Sequence, residues 1–389
     1  MSRGESVPIT GSVLEWAIRE SGLTEEDVAL RLKVSPDLVQ AWLQGQEQPN
    51  KTQFAGLAEY LKRPSAIFFM PSPPSVPSVQ ANFRRAPGEE KHGANRAESR
   101  WIRTAHRLQE AASWVLQQEN AAPIEVHFRS MREHPVAVAQ EERARLGVRV
   151  SDQIKWAGES AAFKGWRDAL ESLGVLVLRF EMGAQASRGF SSWDDFAPAI
   201  VVNTANSNAV SRAYTMFHEY AHLLLRADSV CENYRPRFDL AVSSDIERWC
   251  ESFAAALLLP RNDLEEYLER HFPLRRSGHR VVDFEGVKKI AGRYKVSLRA
   301  TALRLIDLEA SPSSLYSTVD QLAAVPAQRK GGGQAMPRSQ RRLQEYGRRL
   351  SGVLLEALDN EVLDLHSVLD YMDMDYGQLD DLRSMLPVG

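Results

Sequence analysis

Ala213-Tyr-Thr-Met-Phe-His218-Glu219-Tyr-Ala-His222-Leu-Leu-Leu225 reads H-E-x-x-H inside an apolar run that contains neither Gly nor Pro. Such a run predicts a helix, and residues four apart share one helical face. His218 and His222 therefore project side by side, as two neutral imidazoles holding one zinc ion would have to. Glu219 stands about 100° further round the helix, where it can reach a water on the metal as general base. Two incidental histidines on a solvated helix would explain the letters but not the flanks. Phe217, Ala221, Leu223 and Leu224 surround the polar groups with apolar side chains.

At 389 residues with 43% hydrophobic content, the chain predicts two to four domains with ample cores. The net charge of −3 excludes a globally basic nucleic-acid binder but leaves room for a local basic patch. No stretch approaches the roughly 18 apolar residues of a membrane span. The opening Met1-Ser-Arg-Gly-Glu-Ser6 lacks the apolar core of a signal peptide, so a cytoplasmic chain without a membrane role is expected. Two cysteines, Cys231 and Cys250, predict no disulfide framework.

Residues 12–61 read as a bundle of short helices. Thr24-Glu-Glu-Asp27 carries helix-start signals, Val34-Ser35 breaks the pattern, and Pro36-Asp-Leu-Val-Gln-Ala-Trp-Leu43 supplies a second helix anchored by Trp42. This is a helix-turn-helix pattern, and from Thr24 through Pro49 it resembles the Cro/repressor (XRE) class. The resemblance implies DNA contacts from Ser35, Gln40 and Gln44. Charge argues the other way: residues 1–70 hold seven Lys or Arg against nine acids, and the second helix has no cation, whereas phosphate contacts supply most non-specific affinity. DNA binding and protein docking both stay open.

Composition divides the rest. The expected plan is a helix-turn-helix domain at 1–70, then a proline linker (Pro71-Ser-Pro-Pro-Ser-Val-Pro77) and helical connector at 71–150. A catalytic domain follows at 151–310, and a charged helical region of unknown role at 311–389. The connector places Arg96, Arg100, Arg103 and Arg107 along one helix side. Within the third segment, Gly174–Phe180 and Phe196–Asn203 read as two strands, and Arg188-Gly-Phe-Ser-Ser-Trp193 as a glycine-containing loop between them. The fold class is mainly α with a small β-sheet.

Arg188-Gly-Phe, Ile200-Val-Val-Asn203, Phe217-His-Glu-Tyr-Ala-His222 and Glu247-x-x-Cys-Glu-x-Phe-Ala-Ala-Ala-Leu-Leu-Leu-Pro260 together resemble the ImmA/IrrE zinc metallopeptidases, over roughly residues 155–305. The resemblance implies a zincin-like core, zinc on His218, His222 and Glu247, and cleavage of a helix-turn-helix repressor or antitoxin in stress, phage or mobile-element control. Cys250-Glu251 replaces the family's usual Ala-Asn, which makes Glu251 the candidate to orient a ligand histidine. Asp228 follows His222 by six residues, but without a glycine turn at Leu225 the helix carries it away from the metal face. Asp245 reads as a first-turn acid and Ser244–Glu247 as a capping box. Glu247 leads the line Cys250, Glu251, Ala254 and Leu258, whose small or apolar members suit packing beside the metal helix. Two rival functions stand beside the endopeptidase: a transcriptional regulator, or a toxin-antitoxin or defence component, each with a non-catalytic metal site.

Overall fold

The computed structural model describes residues 6–21, 23–61, 65–73, 96–125, 127–205, 207–226, 240–272, 282–323 and 336–386. Two compact units comprise residues 1–81, 85–104 and 182–186 in the first and 82–84, 105–181 and 187–389 in the second. The proline-rich stretch beyond residue 73, Asp228 and Cys231 lie outside the described residues.

The first unit is built on α1 (Gly11–Glu20), α2 (Glu25–Leu32), α3 (Pro36–Leu43) and α4 (Lys51–Leu61). A capping box opens α2: Thr24 Oγ1 accepts the Asp27 N–H at 3.2 Å, and the Asp27 carboxylate accepts that of Thr24 at 2.9 Å. Lys33 then adopts a left-handed conformation (φ 55°) and Ser35 caps α3. That three-residue turn directs Trp42 into the core, fully buried among Val13, Leu14, Val28, Val39 and Leu57. Two short helices joined by a tight turn thus pack around Trp42.

Further along come α5 (Arg96–Gln118, in the second unit from residue 105), α6 (Pro135–Arg145), α7 (Val150–Gln153) and α8 (Glu159–Ser172). Strands β1 (Leu176–Phe180), β2 (Gly189–Ser192) and β3 (Ala199–Asn203) precede α9 (Ala209–Leu224) and α10 (Leu240–Leu258). The chain ends with α11 (Arg261–His271), α12 (Phe284–Tyr294), α13 (Leu298–Asp307), α14 (Ser314–Ala323), α15 (Arg338–Asp359), α16 (Leu365–Met372) and α17 (Tyr376–Met385).

The sheet order is β1-β3-β2, with β1 parallel and β2 antiparallel to β3. The third strand falls where a loop was expected. Gly189-Phe-Ser-Ser192 has weak intrinsic β preference, and its extended form depends on pairing, Phe190 to Val201 and Ser191 to Ile200. Helix α9 packs between β2, β3 and α8 on one side and α10 on the other, with Trp166 of α8 edge-on to Phe217 at 5.0 Å. This enclosure explains a sequence apolar almost all round.

Val138, Ala139 and Leu146 share the buried core of α9 and α10, and α6 packs on α10. From the C-terminal region, α15 packs on β1 and α8. Arg167 and Glu171 of α8 form a buried ion pair at 2.8 Å, and Arg167 also donates to the Gln344 carbonyl at 2.6 Å. At Gly347 (φ 81°) α15 kinks, and Glu171 accepts the N–H groups of Arg348 and Arg349 at 2.8 and 3.2 Å, capping the second segment. A Cβ at position 347 would stand 2.0 Å from Glu171 Oε1, so glycine is required there. Of the arginine row on α5, Arg107 pairs with Asp370 of α16 at 3.0 Å.

Candidate metal centre

Asn208 starts α9 by accepting the Ser211 N–H at 2.9 Å, and the helix then runs unbroken through both histidines. The rear of the helix is fixed by Glu142 of α6, fully buried. Its carboxylate accepts the Tyr220 hydroxyl at 2.8 Å and pairs with Arg129 at 3.0 Å and Arg145 at 2.9 Å. The Arg129 N–H donates to the Leu224 carbonyl at 2.8 Å, satisfying an end group that α9 itself leaves open. Nothing in the letters of residue 142 announced this role.

On the opposite side three donors converge. The Nε2 atoms of His218 and His222 lie 3.2 Å apart, and the Glu247 carboxylate reaches them at 3.1 and 3.3 Å. In a tetrahedral shell the donor–donor edge is about 1.6 times the bond length, so zinc bonds of about 2.0–2.1 Å require edges near 3.3 Å. The Nε2–Nε2 edge fits that requirement, while Glu247 turns Oε2 to His218 and Oε1 to His222, so both of its oxygens face the pair. Among the described residues these are the three His, Cys, Asp or Glu side chains grouped closely enough to hold a metal ion. His218 is 1% exposed and the Glu247 side chain 38%, so the cluster is reached from solvent past Glu247.

Electrostatics also call for a cation here. Burial would raise the Glu247 carboxyl, but hydrogen bonds and charge from both histidines hold it well below the usual carboxylate range. Burial likewise opposes a charged His222, yet Cys250, Glu247 and Glu219 together push its pKa well above the ordinary histidine value. A divalent ion bound by neutral imidazoles would supply the positive charge this pocket favours.

Glu219 is buried next to the donors, and its carboxylate accepts the Ser191 hydroxyl of β2 at 3.3 Å. Sequence reading missed Ser191, because the loop expected at 188–193 gave no reason to face α9. Gly189 makes this approach feasible: a Cβ there would meet the Val201 carbonyl oxygen at 2.7 Å and the Thr215 methyl at 2.8 Å.

The other expectations divide. Asp245 pairs with Arg248 and its side chain is 57% exposed, away from a ligand role. Helix α10 begins at Leu240 rather than at Ser244, which leaves Glu247 inside the helix. Cys250 of α10 is a fully buried thiol close enough to His222 for their charges to couple, and burial pushes its own pKa up. Glu251 offers its backbone carbonyl to the Tyr214 hydroxyl at 3.3 Å. Three residues carry Cys250 about 300° round from Glu247, near enough to the same face. In the first unit Ser35, Gln40 and Gln44 are exposed, but Ser35 accepts the Leu38 N–H at 3.3 Å, Gln40 donates to Glu25, and Gln44 donates to Gln40 at 3.4 Å.

Residues 170–305 match the IrrE N-terminal-like domain family, Peptidase_M78. No match is found among curated proteins. The IrrE-like span runs from the end of α8 into α13 and contains Ser191, His218, Glu219, His222 and Glu247. It supports a metallopeptidase-like function of the ImmA/IrrE type. The helix-turn-helix unit and α15–α17 lie outside the match. No helix among the described residues is long and apolar enough to cross a membrane.

Proposed function

We propose that this protein is a zinc-dependent endopeptidase that cleaves a regulatory protein, a helix-turn-helix repressor or antitoxin. The observation that carries the reading is a buried carboxylate, Glu219, beside a His218–His222–Glu247 cluster close enough to hold a metal ion. His218, His222 and Glu247 would hold the zinc, which when bound supplies Lewis acidity toward a peptide carbonyl and makes water acidic near neutral pH. Glu219 takes the proton of the attacking water and passes it to the leaving amine. Ser191 donates to the Glu219 carboxylate and fixes its direction. Cys250 and the Glu142 network hold the ligand helix, so the donors need little rearrangement when metal arrives.

A regulator with a purely structural or sensing metal would not require a buried base beside the donors, and this separates the endopeptidase from its rivals. For the first unit the balance favours docking a protein over reading DNA. The amides of Gln40 and Gln44 are engaged within the domain, and the head of α2 presents Glu25, Glu26 and Asp27 where a phosphate would sit. Incubating the zinc-loaded chain with the regulator encoded beside it should give a discrete cut, absent with Glu219→Gln. An intact regulator under both conditions would refute the peptidase reading.

A further inference from the structure

Away from the donor cluster, two arginines share one aromatic ring without sharing an acid. Arg179, the fourth residue of β1, and Arg212, in the first turns of α9, place their guanidinium carbons 5.1 and 5.7 Å from the centroid of Phe163 on α8. Both are only partly exposed. Among the described residues neither makes an ion pair, and the Nε–H of each is buried without an acceptor. The one side-chain hydrogen bond of Arg212 goes to the Ser207 carbonyl at 3.1 Å, which holds its guanidinium at the head of α9.

The arrangement is costly as it stands. Burial, then the charges of Arg212 and Arg167, bring the Arg179 pKa down to about 10, and burial also lowers that of Arg212. Glu345 and Glu159 offset this only from a distance. Arg167 is not in the same position, because Glu171 and the Val177 and Gln344 carbonyls occupy its donors. One aromatic ring is weak compensation for two cations, whereas guanidinium forks match phosphate oxygens. The positive end of a 16-residue helix favours an anion at the same place.

We propose that Arg179 and Arg212, over Phe163 and at the head of α9, bind the phosphate group of a small molecule. Such a ligand bridges both guanidinium groups through their terminal N–H donors and touches the same helix that carries His218 and His222. It does not depend on the metal or on peptide cleavage.

Calorimetric titration of the full chain with inorganic phosphate, pyrophosphate and a nucleoside triphosphate tests the proposal. Saturable one-site binding of at least one probe is expected, weakened roughly 10- to 100-fold in Arg179→Met and in Arg212→Met, the scale of losing one charged hydrogen-bonding partner. Tight binding of the triphosphate alone identifies a nucleotide as the source, and equal binding of all three identifies the free anion. Unliganded melting checks that the variants fold: each should melt at or above the parent, since one of two repelling charges is gone. Saturable binding by none of the probes below millimolar concentration overturns the site, as does unchanged affinity in the double variant.

Discussion

Replacing Glu247 by Ala removes the carboxylate oxygens that lie 3.1 Å from His218 Nε2 and 3.3 Å from His222 Nε2, and with them the one negative charge among the ligands. What remains is a pair of imidazoles with Nε2 atoms 3.2 Å apart, a two-point site with no opposing donor. Changes to residues that merely orient ligands cost about 10–100-fold in metal affinity, so losing a ligand outright should exceed about 100-fold, or roughly 2.7 kcal/mol. Competition of the full chain against a chromophoric chelator at neutral pH measures this directly and needs no substrate. Cys250→Ala, which removes the thiol at His222, should fall within about 10–100-fold, and Asp228→Ala should match the parent. Zinc affinity within a few-fold of the parent in Glu247→Ala, or a severe loss in Asp228→Ala, would refute the ligand assignment and with it the claim that edge lengths near 3.2 Å mark a built site.

Glu219→Gln should keep one zinc per chain by elemental analysis while cleavage of the regulator falls roughly 100- to 10,000-fold, the range for a lost general base. Gly347→Ala forces a left-handed conformation on a residue with a Cβ and drives that carbon onto the Glu171 carboxylate, so it should cost about 2–4 kcal/mol in denaturant unfolding; a neutral result would mean the kink is not needed to seat α15. Tyr220→Phe deprives the buried Glu142 carboxylate of a hydroxyl and should destabilise by about 1.5–3 kcal/mol with zinc affinity preserved, a split that chelator competition and melting together resolve. Gly189→Ala presses β2 away from α9, and both lower stability, by about 1–3 kcal/mol, and slower cleavage are expected, because Ser191 moves off Glu219.

The sequence by itself determined the helix of the two histidines, the relation of His218 to His222, and the pair of short helices around Trp42. These depend on interactions within a few residues: helical periodicity sets the angular place of 218, 219 and 222, while Thr24 and Ser35 act on N–H groups three positions away. It also narrowed the third donor to Glu247 among nearby acids, through the phase of one helix. Tertiary structure alone decided what meets across the chain. Ser191 reaches Glu219 because β2 pairs with β3, and pairing of a short Gly-Ser strand is a property of its partner. Cys250 comes beside His222 because the crossing of α9 and α10 fixes which side of α10 turns inward, which periodicity alone cannot set. Residues 135–146 and α15 join the core through Val138, Arg167 and Glu171, whose partners lie up to 178 residues away, and composition carries no record of such distant contacts. The unshared charges of Arg179 and Arg212 have the same origin, since two arginines 33 positions apart in the chain come together only when a strand end and a helix head meet over Phe163.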